Sequence, residues 1–215
     1  MEPATAARLV ALLDRIALSP QNLTAIDDTW DAVDRHLADS LAALTTPEVC
    51  RASSLVDIGS GAGFPGIVIG IADPRVAVTL VESERRKAEW LQRASADLTN
   101  VRAVHGRSEQ VVAGARERWD VATIRAVAEA PAALELAAPY VAVGGSAVLW
   151  TGPRDREIED RAALAGAELG FERGDARLVP AVPGAERNLL VFRKHRPTPE
   201  RFPRRPGRAS KRPLA

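Results

Sequence analysis

Asp57, Gly59, Gly61 and Gly63 stand at alternate positions in the run Leu55-Val56-Asp57-Ile58-Gly59-Ser60-Gly61-Ala62-Gly63-Phe64-Pro65-Gly66, and Glu82 closes the next apolar run, residues 76–81. β-favouring residues lead into the glycines and an apolar stretch, 66–72, leaves them. The pattern reads as a strand feeding a tight turn that opens a helix. Such turns lay backbone N–H groups against a nucleotide, and glycine is needed where a Cβ would forbid the turn or hold the ligand away. A carboxylate at the tip of the second strand can accept both hydroxyls of a ribose. Together these residues predict a cofactor that contains adenosine.

Gly61-Ala62-Gly63-Phe64-Pro65-Gly66 also fits the dinucleotide spacing GxGxxG, which alone is weak evidence. Three details favour S-adenosylmethionine over a nicotinamide dinucleotide. The alternating glycines start earlier, at Gly59; Asp57 stands two residues before the first of them; and more than fifty residues precede the motif. A buried carboxylate would repel a pyrophosphate but suits a sulfonium and an α-amino group. A glycine-rich turn that binds nothing would leave Glu82 without a reason.

The elements that must position these groups alternate along the chain. Helical spacing of Leu9, Val10, Leu12, Leu13 and Ile16 predicts a helix over 4–17, ended by Ser19-Pro20. A second amphipathic helix over 27–44 carries Trp30, Val33, Leu37, Leu41 and Leu44. Strands over 54–58, 76–82, 101–105, 119–125 and 145–150 then alternate with helices over 65–72, 84–97, 108–116, 130–138 and 154–169. That order predicts a parallel sheet covered on both faces. Residues 171–179 and 188–194, joined by a turn at 180–184, add an antiparallel hairpin. The fold expected is α/β and Rossmann-like, a seven-stranded mixed sheet of the class I S-adenosylmethionine-dependent methyltransferase type with an N-terminal helical extension. The expected division is a helical cap over 1–52, the sheet domain over 53–195 and a basic, proline-rich tail over 196–215.

With 215 residues, 46% of them hydrophobic and 27% charged, the chain can bury one sizeable core. No apolar run approaches the roughly 20 residues of a membrane span, and no signal-peptide pattern opens the chain. Cys50 is the single cysteine, which excludes an internal disulfide and fits a reducing cytoplasm; it reads as a small core or loop residue. Metal-ligand spacing is absent, since His105 and His195 are isolated. The formal charge of +1 conceals an asymmetry. From Arg193 onward nine Lys or Arg face the single acid Glu200, a net +8, so the rest carries −7. Prolines 197, 199, 203, 206 and 213 make this segment unable to fold alone.

In a doubly wound sheet, ligands bind beyond the carboxyl ends of the strands, where strand order reverses. The residues just past each strand therefore converge: Gly59–Gly63, Glu82, Arg107-Ser108-Glu109, Arg125-Ala126 and Thr151-Gly152. Ser108 and Glu109 fall where an adenine edge would lie, and Arg125 where a reactive methyl would. The plain alternatives are an Arg125–Glu129 surface pair and, for Glu109, an acid favoured by a helix N-terminus. On the second helix His36, Asp39 and Ser40 share a face.

The ordered set Asn22-Leu23-Thr24, His36 with Asp39-Ser40, the Asp57–Gly66 run, Arg107-Ser108-Glu109, Arg125-Ala126 and Glu186-Arg187 resembles the bacterial GidB/RsmG family. The ending Arg201-Phe202-Pro203-Arg204-Arg205-Pro206-Gly207 with Lys211-Arg212-Pro213-Leu214 is similar to that family's as well. The resemblance implies an enzyme that uses S-adenosylmethionine to methylate N7 of one guanine in 16S ribosomal RNA of the small subunit. It implies that Gly59, Phe64, Ser108, Glu109 and Arg125 contact the cofactor. It associates Asn22, His36, Asp39, Arg107, Arg125 and Arg187 with substrate and activity. One departure stands out. The family commonly has Lys-Gly after the fifth strand, whereas this chain has Thr151-Gly152, leaving Arg154 or Arg156 as candidates for the lost cationic contact.

The residues agree with that chemistry. Guanine N7 has an in-plane lone pair and no proton, so attack on a sulfonium methyl needs alignment and charge management, not a general base. The amide-Pro-Pro-aromatic motif of exocyclic-amine methylation is absent after the fourth strand, and no cysteine follows strand four or five. The basic ending, with Arg204, Arg205, Lys211 and Arg212, is expected to hold RNA phosphates; its bland alternative is a solubilising end. A small-molecule methyltransferase of the same fold, and an RNA-binding module that only senses the cofactor, are the competing functions. No metal or membrane partner is expected, and a monomer is, because no large apolar stretch is left over.

Overall fold

In a computed structural model of the protein, residues 1–19, 23, 33–179 and 187–215 are described. Asn22, Thr24, Trp30, Glu186 and the turn at 180–184 lie outside these residues. The chain opens with α1 (Pro3–Ala17). A π-helical segment (Val33–Ala38) then runs into α2 (Asp39–Leu41) and a 3-10 turn (Ala42–Thr45). After α3 (Pro47–Cys50) the alternation begins: β1 (Ser54–Ile58), α4 (Gly66–Ala72), β2 (Ala77–Glu82), α5 (Arg85–Ala94) and β3 (Val101–His105). It continues through α6 (Ser108–Val111), β4 (Trp119–Arg125), α7 (Ala130–Ala137), β5 (Val141–Thr151) and α8 (Arg156–Leu169). The hairpin β6 (Phe171–Val179) and β7 (Arg187–Lys194) follows, and α9 (Arg208–Lys211) is last.

The seven strands form one sheet in the order β3-β2-β1-β4-β5-β7-β6. The first five run parallel, and β7 inserts antiparallel between β5 and β6. One face packs Leu9, Leu12, Leu13 and Ile16 of α1 with Ile67 and Val68 of α4 against Leu55, Val121 and Val148. The other packs Leu134 and Ala137 of α7 with Ala162 and Leu169 of α8 against Val56, Ile124 and Leu149. Both faces are thus covered, as continuous apolar strands require.

The differences from the sequence reading have local causes. The described part of the helix expected over 27–44 is not one α-helix but π, α and 3-10 segments in succession. β5 starts at Val141 and not at residue 145, because the strand passes through Gly144-Gly145 with a register shift opposite Trp119–Val121. α3 was not foreseen, although Thr46 accepts from Val49 N at 3.3 Å and Pro47 occupies the first helical position. Cys50 ends that helix exposed, not in the core.

The tail packs onto the domain, a contact its composition does not announce. Phe202 and Ala209 are buried in the α7 face of the core. Arg204 donates a fork to the buried Glu135, 2.8 Å from Nε and 2.5 Å from Nη2. Arg116 donates to the carbonyls of Thr198, Pro199 and Phe202. Lys194 is fully buried, its ammonium donating to Glu117 and to the carbonyls of Ala138 and Val141, and burial lowers its pKa despite Glu117. Proline and charge prevent this segment from folding alone; ion pairs with the domain's acids hold it.

Strand order reverses between β1 and β4, and Asp57 sits at that join. Thr123, its register partner on β4, donates to Asp57 Oδ1 at 2.9 Å, and Gly66 N donates to Oδ2 at 3.2 Å. The carboxylate thus ties the start of α4 to both central strands from beneath the glycine turn. Burial pushes its pKa up to about 6 against those hydrogen bonds. With an unfolded value near 3.8, this group's contribution to stability is full below about pH 4 and is lost as pH rises through 6. Relative to Asp57→Asn, we expect the wild type to lose up to about 3 kcal/mol between pH 4 and 7. Urea unfolding of both proteins across that range measures it, and a pH-independent difference would contradict the assignment.

Candidate active site

The π-helical segment and β4 are far apart in sequence, but the fold presses them together beyond the carboxyl end of the sheet. Arg125, last in β4, donates from Nη1 to Asp39 Oδ2 at 2.7 Å and from Nη2 to His36 Nδ1 at 3.2 Å. Arginine has only donors, so Nδ1 is the acceptor in this contact. The imidazole lies parallel to the Phe64 ring, centroids 4.3 Å apart and planes 8° from parallel, and the guanidinium stands 5.4 Å from the same ring's centre. Trp150, across from Arg125 on β5, donates its indole N–H to the Asp39 carbonyl at 3.0 Å. Ser40 faces away from this chemistry, its hydroxyl bonding back to the His36 carbonyl. The π-helical winding replaces the simple i, i+3, i+4 face.

Asp39 is only 2% exposed. Burial raises its pKa in spite of Arg125 and the nearby Arg187. Its Oδ1 has no hydrogen-bond partner among the described residues. A buried carboxylate oxygen left unbonded costs about 1–3 kcal/mol or more, and here it is surrounded by the residues singled out for chemistry. Burial likewise lowers the pKa of Arg125, with Arg187 adding repulsion and Asp39 opposing both. The surface-pair alternative for Arg125 is overturned: Glu129 stands 3.8 Å from Arg161 instead.

Beside this cluster the glycine turn forms a cradle. Gly59, at φ +72°, passes under Val127, whose side chain would collide with any Cβ. Gly61, at φ +56°, is different: a Cβ there would point into open space, its nearest heavy atom the Gly59 carbonyl at 3.9 Å. That space is where a ligand's chain would lie, so the residues fit the cofactor inferred from sequence. Gly63, at φ +112°, packs on Ile67. Glu82 accepts Gly61 N at 2.9 Å through Oε2 and Glu84 N at 2.7 Å through Oε1, so it braces the turn and keeps lone pairs for further donors.

A cavity of about 200 Å³ opens next to the cradle, lined by Ile58, Gly59, Val81, Ser108, Glu109 and Val127. It is smaller than the roughly 300–1,000 Å³ of a whole small-molecule site, so it suits one end of the ligand. Tyr140 donates to the Ser108 carbonyl at 2.7 Å and fixes that wall. Glu109 accepts Gly207 N at 2.8 Å, with Arg107 at 3.5 Å. Burial pushes its pKa up, but the Gly207 bond and Arg107 outweigh it and hold it below the ordinary value.

The structure therefore brings together Gly59, Gly61, Gly63, Phe64, Glu82, Ser108 and Glu109 along one rim, with His36, Asp39, Arg125 and Arg187 at its end. Asp57 is 1% exposed and acts from below. Asn22 lies outside the described residues. Arg205, Lys211 and Arg212 are exposed on the tail, while Arg204 is engaged by Glu135. Arg154, a candidate for the cation missing at Thr151, is forked onto Glu159 at 2.9 and 2.8 Å; Arg156 stays exposed. Thr123, Trp150, Val127 and Tyr140 were missed by the sequence reading, because each acts through a neighbour that only the sheet supplies. Among the described residues, no group of three or more His, Cys, Asp or Glu could hold a metal ion, and no helix is long and apolar enough to cross a membrane.

Known proteins share this fold and this sequence pattern. Solved structures sharing the fold include Methanococcus jannaschii TYW2 in complex with AdoMet (TM-score 0.60, 15% identity, 79% of each chain covered). The M. jannaschii fibrillarin pre-rRNA processing protein is another (TM-score 0.59, 19% identity, 74% of this chain and 73% of that one). Among curated relatives, ribosomal RNA small subunit methyltransferase G of Chloroflexus aggregans is 41% identical over 200 residues, covering 90% of this chain and 82% of the relative. The protein of the same name from Deinococcus radiodurans is 37% identical over 214 residues, covering 97% and 84%. The profile described as GidB, rRNA small subunit methyltransferase G, matches residues 5–189, and with the cradle and the Arg125 cluster both inside that span, the chain belongs to the GidB family.

Proposed function

We propose that this protein transfers the methyl group of S-adenosylmethionine to N7 of a guanine in 16S ribosomal RNA of the small subunit. The observation that carries the reading is the adjacency of the open glycine cradle at Gly61 to the buried Arg125–Asp39–His36 cluster, in a chain of the GidB family. Gly59, Gly61 and Gly63 would hold the cofactor's methionine side, Glu82 its ribose hydroxyls, and Ser108 and Glu109 its adenine edge. Phe64 and Arg125 would border the reactive carbon. Asp57 supports binding by fixing the turn. Bound there, S-adenosylmethionine supplies an electrophilic methyl on a sulfonium centre.

The protein's task is alignment, since guanine N7 carries no proton to remove. Arg125 is a donor held in one orientation by Asp39 and His36. Asp39 keeps one buried oxygen that can accept the base's N–H groups and offset the positive charge that methylation creates on the ring. The parallel His36–Phe64 pair walls the same space and excludes water. A guanine must be splayed from its stack to enter, so we infer recognition of folded RNA rather than of a short oligonucleotide.

Arg107, Arg187, Arg205, Lys211 and Arg212 are the cations we assign to RNA phosphates, and Arg204 helps by holding the tail on Glu135. Asn22 is assigned to the substrate on the resemblance alone. Residues 1–52 serve in this reading as a cap on the crevice. The protein acts as a monomer in the cytoplasm, and the single exposed Cys50 suits that reducing compartment.

Three outcomes are expected. Small-subunit RNA from a strain lacking the gene gains N7-methylguanine when incubated with the protein and labelled cofactor; no such nucleoside by mass spectrometry would eliminate the function. Gly61→Val fills the cradle and abolishes cofactor binding by calorimetry, whereas unchanged affinity would refute the placement. Asp39→Asn slows methyl transfer by about 10²-fold or more with cofactor affinity nearly preserved, and Arg125→Ala slows it as well, with weaker cofactor binding and a larger cost in stability. A wild-type rate in either variant would make the pair structural only.

A further inference from the structure

The tail has features that phosphate binding does not require. Gly207, at φ +76°, turns the chain so that its N–H meets Glu109 on the cavity rim. α9 follows at once, burying Ala209 on the α7 side of the core and bringing Ser210 to the wall of the 200 Å³ cavity beside Ser108 and Glu109. The turn is anchored from several directions. Arg204 is forked on Glu135 and donates to the Arg212 carbonyl at 2.8 Å, and Phe202 is buried just before it. A segment that only carried loose positive charge would need none of these anchors.

We propose that residues 204–211 form the outer wall of the adenosine pocket, with Ser210 set against the base, so that the tail serves the cofactor as well as RNA. The cavity's chemistry suits that end of the ligand. Ile58, Val81 and Leu136 offer an apolar slot for a flat ring, and Ser108, Glu109 and Ser210 offer polar groups at its rim. The Ser210 hydroxyl makes no hydrogen bond with the described residues and is available to a heteroatom of the base. On the same turn Arg205, Arg208, Lys211 and Arg212 are exposed, with no ion pair from their side chains to the described residues. One short turn thus divides its labour, the Ser210 side toward the cofactor and the cationic side toward the RNA backbone.

The inference rests on the S-adenosylmethionine reading, and its test separates the two. Isothermal titration of the full-length wild type with S-adenosylmethionine comes first; no binding would overturn that reading and this one with it. Given wild-type binding, Ser210→Trp is expected to weaken it at least about tenfold, with RNA affinity at fixed salt and the thermal midpoint little changed, because the residue is exposed. The double variant Lys211→Glu, Arg212→Glu is expected to do the reverse, lowering RNA affinity and sparing cofactor affinity. Hydrogen exchange gives a readout free of substitutions: the amides of residues 207–211 in the wild type should slow when the cofactor is added. Wild-type affinity in Ser210→Trp, or unchanged exchange in that turn, would overturn the proposal while leaving the cofactor site itself intact.

Discussion

The buried ion pair between Asp39 and Arg125 is the contact on which the site depends. It joins the start of α2 to the end of β4 across 86 residues of sequence and fixes one edge of the crevice. Pairs of this kind gain little net stability over an apolar alternative, yet removing one partner costs about 3–5 kcal/mol because the other is left buried and charged. Here Asp39 Oδ1 is also unbonded among the described residues. In the function proposed above, that arrangement gives up stability to hold a donor and an acceptor ready for the transition state.

The same logic runs through the rest of the molecule. The excess of basic residues near the end of the chain suggests a cloud of charge waiting for RNA. In the fold, Arg193, Lys194, Arg201 and Arg204 are matched to Glu48, Glu117, Glu168 and Glu135, acids drawn from the negative remainder of the chain. The charge asymmetry along the sequence is therefore in part the two halves of an internal interface. What is left over is a smaller set of exposed cations on the tail, Arg205, Arg208, Lys211 and Arg212, on the turn that brings Ser210 to the cavity wall.

Much of the architecture was legible because it rests on periodicity. β1, β3, β4 and β6 begin and end where alternation and turn residues put them, and the parallel order with its antiparallel hairpin follows from strands alternating with helices. Boundaries failed where tertiary contacts compete with local preference. The strand expected from residue 145 begins at Val141 instead, with an irregularity of register at Gly144-Gly145 inside β5. The helix that carries His36 and Asp39 read as regular, but it is π-helical at His36 and α-helical from Asp39, and His36 meets Arg125 and Phe64 there, contacts that its hydrophobic spacing does not encode.

The sequence by itself determined the strand-turn-helix with its glycines, the carboxylate closing β2, and the identity of the polar residues gathered at the strand ends. These follow from local sterics and from chain order, which a linear string contains. Only the tertiary structure decided that Arg125 pairs with Asp39 and not with Glu129, that Asp57 braces the turn from beneath instead of facing outward, and that the tail brings Ser210 to the cavity wall. Each of those outcomes is a choice among several charge or hydrogen-bond partners of equal chemical merit. Burial makes that choice, because desolvation leaves a buried charge or donor no alternative but the group the fold sets next to it.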